Sequence, residues 1–190
     1  IAIVALNVVY WCLMTLYPAF AGAIFVRFAP TAWWQRSLFF AALWTLTEWL
    51  RGWLMTGFPW LAVGYSQSPP SALAGFAPII GVFGVSLLTV LVSAAIKEAA
   101  QRWIFSTLGA QSTDRKLFVA APLLMAVLLL ACGALLRDVQ WTSPTGKPLT
   151  VALLQGNVEQ DLKWRPERFN ESLRTYYRLA LENPAQLTVL

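Results

Sequence analysis

The sequence predicts a polytopic α-helical membrane protein, about four transmembrane helices long, followed by the start of an extracytoplasmic α/β domain. Three observations lead there. The 190 residues are 58% hydrophobic and 14% aromatic but only 12% charged, with ten Trp, a balance that a soluble domain of this size seldom has. Apolar runs long enough to cross a hydrocarbon layer about 30 Å thick recur before Arg137. The charge density then rises abruptly: residues 1–136 hold seven Lys/Arg and three Asp/Glu, whereas residues 137–190 hold seven and six. The net charge of +5 is not a nucleic-acid signature, because the basic residues of the first part flank apolar spans instead of forming a stripe.

The first span is expected over residues 1–26, with Pro18 as a kink that neighbouring helices satisfy. Arg27 and Arg36 bracket a short loop with Pro30 and two residues suited to a membrane aromatic belt, Trp33 and Trp34. The second span, 37–55, carries Glu48 and Arg51 three residues apart on one helical face, where each neutralises the other as a structural ion pair in the membrane, with a direct role in binding a lipid headgroup as the other reading. From Gly52 to Ile96 there is no Asp, Glu, Lys or Arg, yet Gly57, Pro59, Gly64 and Pro69 rule out one continuous helix. Backbone that is irregular and apolar suits a loop in the membrane interface or around a cavity, a lip at a lipid-accessible site. The third span, 78–96, contains Gly81 and Gly84 as small residues for close helix contact. Lys97, Arg102, Arg115 and Lys116 are assigned to the loop after it, and the fourth span covers 117–136.

The expected loops hold two, zero and four basic residues in turn, so the positive-inside rule puts the first and third in the cytoplasm. Everything after Arg137 then lies on the extracytoplasmic side. Residues 137–148 read as a linker. Leu149–Leu154 is a short apolar run closed by Gln155-Gly156-Asn157, the pattern of a buried strand and a turn. Pro166 suits a first helical turn, and Phe169, Leu173, Tyr176 and Ala180 recur at helical spacing up to Asn183-Pro184. Leu187–Leu190 begins a second strand, and strand–helix–strand implies a parallel pair. Ile1 follows no initiator Met or signal peptide and Leu190 ends inside an apolar run, so the chain reads as an interior fragment.

Two stretches, EWLRGWLMTGFPWLAVGYSQ in the membrane part and VALLQGNVEQDLKWRPE at the start of the second part, resemble bacterial apolipoprotein N-acyltransferases. The resemblance implies a multi-pass enzyme of the bacterial inner membrane with a periplasmic nitrilase-like domain, begun here by residues 149–190. It implies transfer of an acyl chain from a membrane phospholipid to the α-amino group of the diacylglyceryl-cysteine that begins a lipoprotein. The expected partners are thus a phospholipid donor, a diacylated lipoprotein acceptor and membrane lipids, with no nucleic acid and no cofactor. The family's Glu, Lys and Cys triad, which forms a Cys thioester, is expected after Leu190, so no catalytic residue is assigned in this chain and the fragment alone is expected to be inactive.

Substrate-lining candidates are Trp60, Tyr65 and Gln67 in the uncharged loop, Asn157 at the strand-end turn, and Trp164 in the second motif. For the loop aromatics a plain membrane-belt role stands beside the lining role, and for Trp164 a domain anchor does. Cys12 and Cys132 lie in apolar spans of a chain without His, so they read as inert packing residues. No metal-ligand cluster is visible. The alternatives are a non-enzymatic membrane transporter or assembly subunit, and another membrane-tethered nitrilase-like amidase. Intramembrane charge and broken helices also suit transporters, but no inverted repeat is visible.

Overall fold

A computed structural model describes residues 2–54, 57–107, 115–159 and 165–190. It divides into two compact units, Ile1–Trp141 and Thr142–Leu190. The first unit is built from helices α1 (Ala2–Phe28), α2 (Trp33–Arg51), α3 (Ala77–Thr107) and α4 (Arg115–Leu136). The helices pack in chain order, α2 against α1 and α3, and α3 against α4. Leu, Val, Ile and Ala fill these helices on all sides, and large residues such as Ile3, Trp11, Val26 and Leu135 remain exposed around the unit, as a surface solvated by lipid requires. Ala2–Phe28, Ala72–Phe105 and Val119–Leu136 are long and apolar enough to cross a membrane. The fourth helix, α2, is only 19 residues long and carries Arg36, Glu48 and Arg51.

Buried Val85, Val92 and Ala95 of α3 meet Ala126 of α4 and Leu73, with Leu88, Met125 and Leu129 packed around them. Phe25 of α1 holds α2 through Phe40, ring centroids 5.2 Å apart edge to face. Pro18 lies inside α1 and Pro122 inside α4. Gly81 corrects one expectation: no neighbour approaches within 4 Å of where its Cβ would be, so it serves no close helix contact. Instead its φ of 63° breaks α3 into two segments, a conformation glycine adopts without steric cost. Lys97 and Arg102 are likewise on helical turns rather than in a loop, because α3 continues to Thr107.

That continuation builds a charged node between α2 and α3. Glu98 accepts from Arg36 Nη2 at 3.2 Å through one carboxylate oxygen and from Arg102 Nε at 3.0 Å through the other. The Arg102 guanidinium also sits 5.1 Å from the centre of the Trp33 ring. At the other end of α3, Arg137 Nη1 donates to the Pro70 carbonyl at 2.6 Å, which ties the chain leaving α4 to the segment entering α3.

In the second unit, strand β1 (Val151–Leu153) pairs in parallel with β2 (Leu187–Val189) in the register Val151↔Leu187, Ala152↔Thr188, Leu153↔Val189. Helix α5 (Phe169–Glu182) connects them after a single 3₁₀ turn at Pro166–Arg168. The apolar positions of α5 separate. Tyr176 and Ala180 are half-buried, whereas Phe169, Leu173, Tyr177 and Leu181 form an exposed stripe at four-residue spacing.

The node generates a stability prediction. Glu98 and Arg102 side chains are only 11% and 10% exposed, Arg36 39%, so the Arg102 arm dominates and the more exposed Arg36 arm contributes little. Glu98→Ala removes the carboxylate that both guanidinium groups share and is expected to cost about 3 kcal/mol, read as a lowered Tm of the full-length protein in detergent.

Candidate functional site

Residues 57–76, between α2 and α3, have no regular helix beyond two 3₁₀ turns, Val63–Gln67 and Ala72–Phe76. Their backbone groups lack the internal hydrogen bonds of an α-helix, and in apolar surroundings each unpaired one costs free energy. The flanking helices supply partners. Glu48 of α2, 6% exposed, accepts from Val63 N–H at 2.9 Å and from its own neighbour Trp44 Nε1 at 2.9 Å, both at Oε1. Ser86 Oγ of α3 accepts from the next amide, Gly64 N–H, at 2.8 Å. Two successive amides are therefore pinned to two different helices. Gly64 has to be glycine for that approach, because a Cβ there would collide with the Val82 carbonyl.

The ion pair expected between Glu48 and Arg51 does not form. Arg51 Nη2 donates instead to the Trp60 carbonyl at 3.0 Å, and the Arg51 carbonyl accepts from Phe58 N–H at 2.7 Å. Helical spacing put both side chains on the face that the loop folds onto, and there loop amides and carbonyls compete successfully for each charge. Glu48 Oε2 and Arg51 Nε remain buried without a hydrogen-bond partner among the described residues.

Pinned from below, the loop turns its aromatic groups outward. Trp60 is 67% and Tyr65 60% exposed, with Trp53, Leu54 and Leu61 beside them in the chain. Leu61, at 80% exposure, has φ 64°, a left-handed conformation that costs an ordinary residue about 1–2 kcal/mol. A strained backbone that presents a bare leucine marks a place where exposure is maintained by the surrounding bonds, and nothing in the sequence pattern singled Leu61 out. Gln67 is not part of this outward surface. Its Oε1 accepts from Ser71 Oγ at 2.6 Å and its Nε2 donates to Ser66 Oγ at 3.0 Å, so it closes the loop on itself. Tyr10 of α1 packs edge to face on Phe58, centroids 5.4 Å apart, at the root of the lip.

Within the second unit, Asn157 has φ 47° and borders a cleft of about 230 Å³ with Gly156, Glu159, Arg168, Glu171 and Thr175. Trp164 lies outside the described residues. Cys12 and Cys132 are free thiols, and both are exposed on their helices rather than packed between them, which corrects the packing role expected of them. Among the described residues no group of His, Cys, Asp or Glu is arranged to hold a metal ion.

Residues 1–95 match the model of the apolipoprotein N-acyltransferase N-terminal domain. The chain belongs to the apolipoprotein N-acyltransferase family. The matched region contains α2 and the part of α3 that pins the loop, with Glu48, Val63, Gly64 and Ser86. Similar family members include the apolipoprotein N-acyltransferases of Chromobacterium violaceum, 44% identical over 93% of this chain and 32% of that protein, and of Nitrosomonas europaea, 43% identical over 100% of this chain and 35% of that protein. A third, from Methylococcus capsulatus, is 40% identical over 90% of this chain and 32% of its own length. The chain spans about a third of the length of these curated relatives.

The two pins are separable by substitution in the full-length family member. Ser86→Ala removes one acceptor without adding bulk and leaves the buried Gly64 amide unpaired, a loss of about 1–3 kcal/mol. Glu48→Gln keeps an oxygen for Val63 and is expected to be milder than Glu48→Ala. Limited proteolysis between Gly57 and Gly64 reads the release, and equal protection in Ser86→Ala and the parent protein would show that the pins do not hold the loop.

Proposed function

We propose that the full-length protein transfers an acyl chain from a membrane phospholipid to the α-amino group of the diacylglyceryl-cysteine of a lipoprotein, through a Cys thioester. Family membership supports the reaction class, and the lip supports a lipid substrate: an exposed aromatic edge with its backbone fixed by Glu48 and Ser86 is a surface that acyl chains wet. That lip is the observation that carries the reading for this part of the protein. The lip lies at the end of the helical unit where Arg137 joins Pro70 and the chain leaves α4.

In this reading residues 149–190 open a nitrilase-like domain, and the Glu base, the oxyanion-stabilising Lys and the nucleophilic Cys belong to the part of the protein beyond Leu190. A thiolate with a base beside it divides acyl transfer into two easier steps, and among the described residues neither the Cys12 nor the Cys132 thiol is hydrogen-bonded to a base. The protein sits in the bacterial inner membrane with the lip and the α/β segment on the periplasmic side. Trp60 and Tyr65 line the lipid approach, and Asn157 lines the substrate site.

Full-length protein incubated with phospholipid should form one hydroxylamine-sensitive acyl adduct by intact mass, and the Cys12→Ala/Cys132→Ala variant should form it equally. An adduct lost in that variant would place the chemistry in the membrane helices. Trp60→Ala and Tyr65→Ala should slow adduct formation at limiting phospholipid by about tenfold, on the scale of a few apolar contacts each worth about 1 kcal/mol, with little effect at saturation.

Orientation has its own test. Single cysteines at Ser71 and Ser143 should react with an impermeant thiol reagent applied from the periplasmic side, and one at Ser112 should not. Labelling at Ser112 alone would reverse the topology.

A further inference from the structure

A groove of about 500 Å³ runs between α2 and α3, from Arg36, Lys97 and Glu98 at one end to Trp44 and Val63 at the other. Arg36 to Trp44 and Lys97 to Thr89 are each two turns of helix, so the groove is about 12 Å long. Its walls are Phe25, Phe40, Trp44 and Val90, with the pinned residue Val63 at the far end. Two hydroxyls on the α3 wall do not make it polar: Thr89 Oγ1 donates to the Val85 carbonyl at 2.8 Å and Ser93 Oγ to the Thr89 carbonyl at 2.9 Å. The result is an apolar slot of ligand size with charge confined to its mouth.

The charge at the mouth is unbalanced. Among the described residues that line the groove, Arg36 and Lys97 stand beside one carboxylate, and both oxygens of Glu98 are taken, one by Arg36 and one by Arg102. Exposed Lys97 is in no ion pair among the described residues. Arg36 is held in place by Glu98 and still leaves 39% of its side chain exposed, so its remaining N–H donors are pre-aimed. The mouth is also far from the lip. Arg36 lies fifteen residues along α2 from Arg51, which donates to the Trp60 carbonyl of the lip, about 22 Å at 1.5 Å per residue, and so belongs to the opposite leaflet.

We propose that this groove binds an anionic phospholipid of the leaflet opposite the lip, with its phosphate between Arg36 and Lys97 and one acyl chain lying along Phe40, Trp44 and Val90 to end on Val63. A zwitterionic lipid fits the slot as well but forgoes the excess positive charge, so headgroup charge sets the preference. An acyl chain ending on Val63 also packs against the residue whose amide Glu48 holds, which joins occupancy of one leaflet to the lip in the other.

The test uses full-length protein and ether-linked phosphatidylglycerol and phosphatidylcholine, which contain no acyl ester and so report binding independently of any transfer reaction. Native mass spectrometry in detergent should show phosphatidylglycerol bound about fivefold more tightly, the scale of one lysine near an anionic headgroup. Lys97→Gln, an exposed change that breaks no ion pair, should remove that preference while phosphatidylcholine binding stays as it was. Ala94→Trp, which fills the groove, should eliminate one bound lipid of either headgroup. An unchanged preference in Lys97→Gln would overturn the headgroup assignment, and unchanged lipid occupancy in Ala94→Trp, checked for a parent-like Tm, would overturn the groove.

Discussion

The membrane unit depends on the acceptance of two loop amides by side chains of two helices, Val63 by Glu48 and Gly64 by Ser86. A chain segment without α-helical hydrogen bonds can be kept beside apolar helices only if something other than water completes its backbone. One buried carboxylate and one buried hydroxyl provide that completion, and the carboxylate is oriented in turn by the Trp44 indole. Because the loop backbone is held from beneath, its large side chains are free to point away from the protein. The exposed Trp60, Leu61 and Tyr65 are thus a consequence of the same bonds that bury Glu48.

Charge is used differently at the two ends of the helices. At the lip, Glu48 and Arg51 are spent separately on backbone groups, so no net ionic contact joins helix to helix there. At the far end, Glu98 crosslinks α2 to α3 through Arg36 and adds Arg102 over the Trp33 ring. A salt bridge spanning two helices fixes their relative register, whereas a carboxylate capping loop amides fixes the loop and leaves the helices to be held by Val85, Val92, Ala95 and Ala126. The groove between α2 and α3 runs from the Arg36–Glu98 pair at one end to Val63 of the folded-back loop at the other.

The second unit is less self-sufficient. Its parallel strand pair exposes most of both faces, and α5 leaves Phe169, Leu173, Tyr177 and Leu181 uncovered. A parallel pair is ordinarily buried on both sides, so this apolar surface is what further layers of an α/β domain would cover.

Much of this was legible from one dimension. Apolar length located α1, α3 and α4, turn residues located the break after α2, and the irregular loop between α2 and α3 falls within the run without charge from Gly52 to Ile96, because apolar surroundings restrict composition over whole segments. The alternation of strand, helix and strand around Pro166 located the parallel pair for a similar reason, since short β-branched runs and helical periodicity are local properties. Partner choice was not legible. Glu48 and Arg51 are neighbours in sequence yet bind Val63 and Trp60; Arg36 and Glu98, sixty-two residues apart, bind each other. Gly81 serves a kink rather than a contact, and Leu61 carries a positive φ that no spacing rule marks. Sequence determines which groups must be satisfied in an apolar medium, but which donor meets which acceptor is a distance in space, decided only when the helices pack.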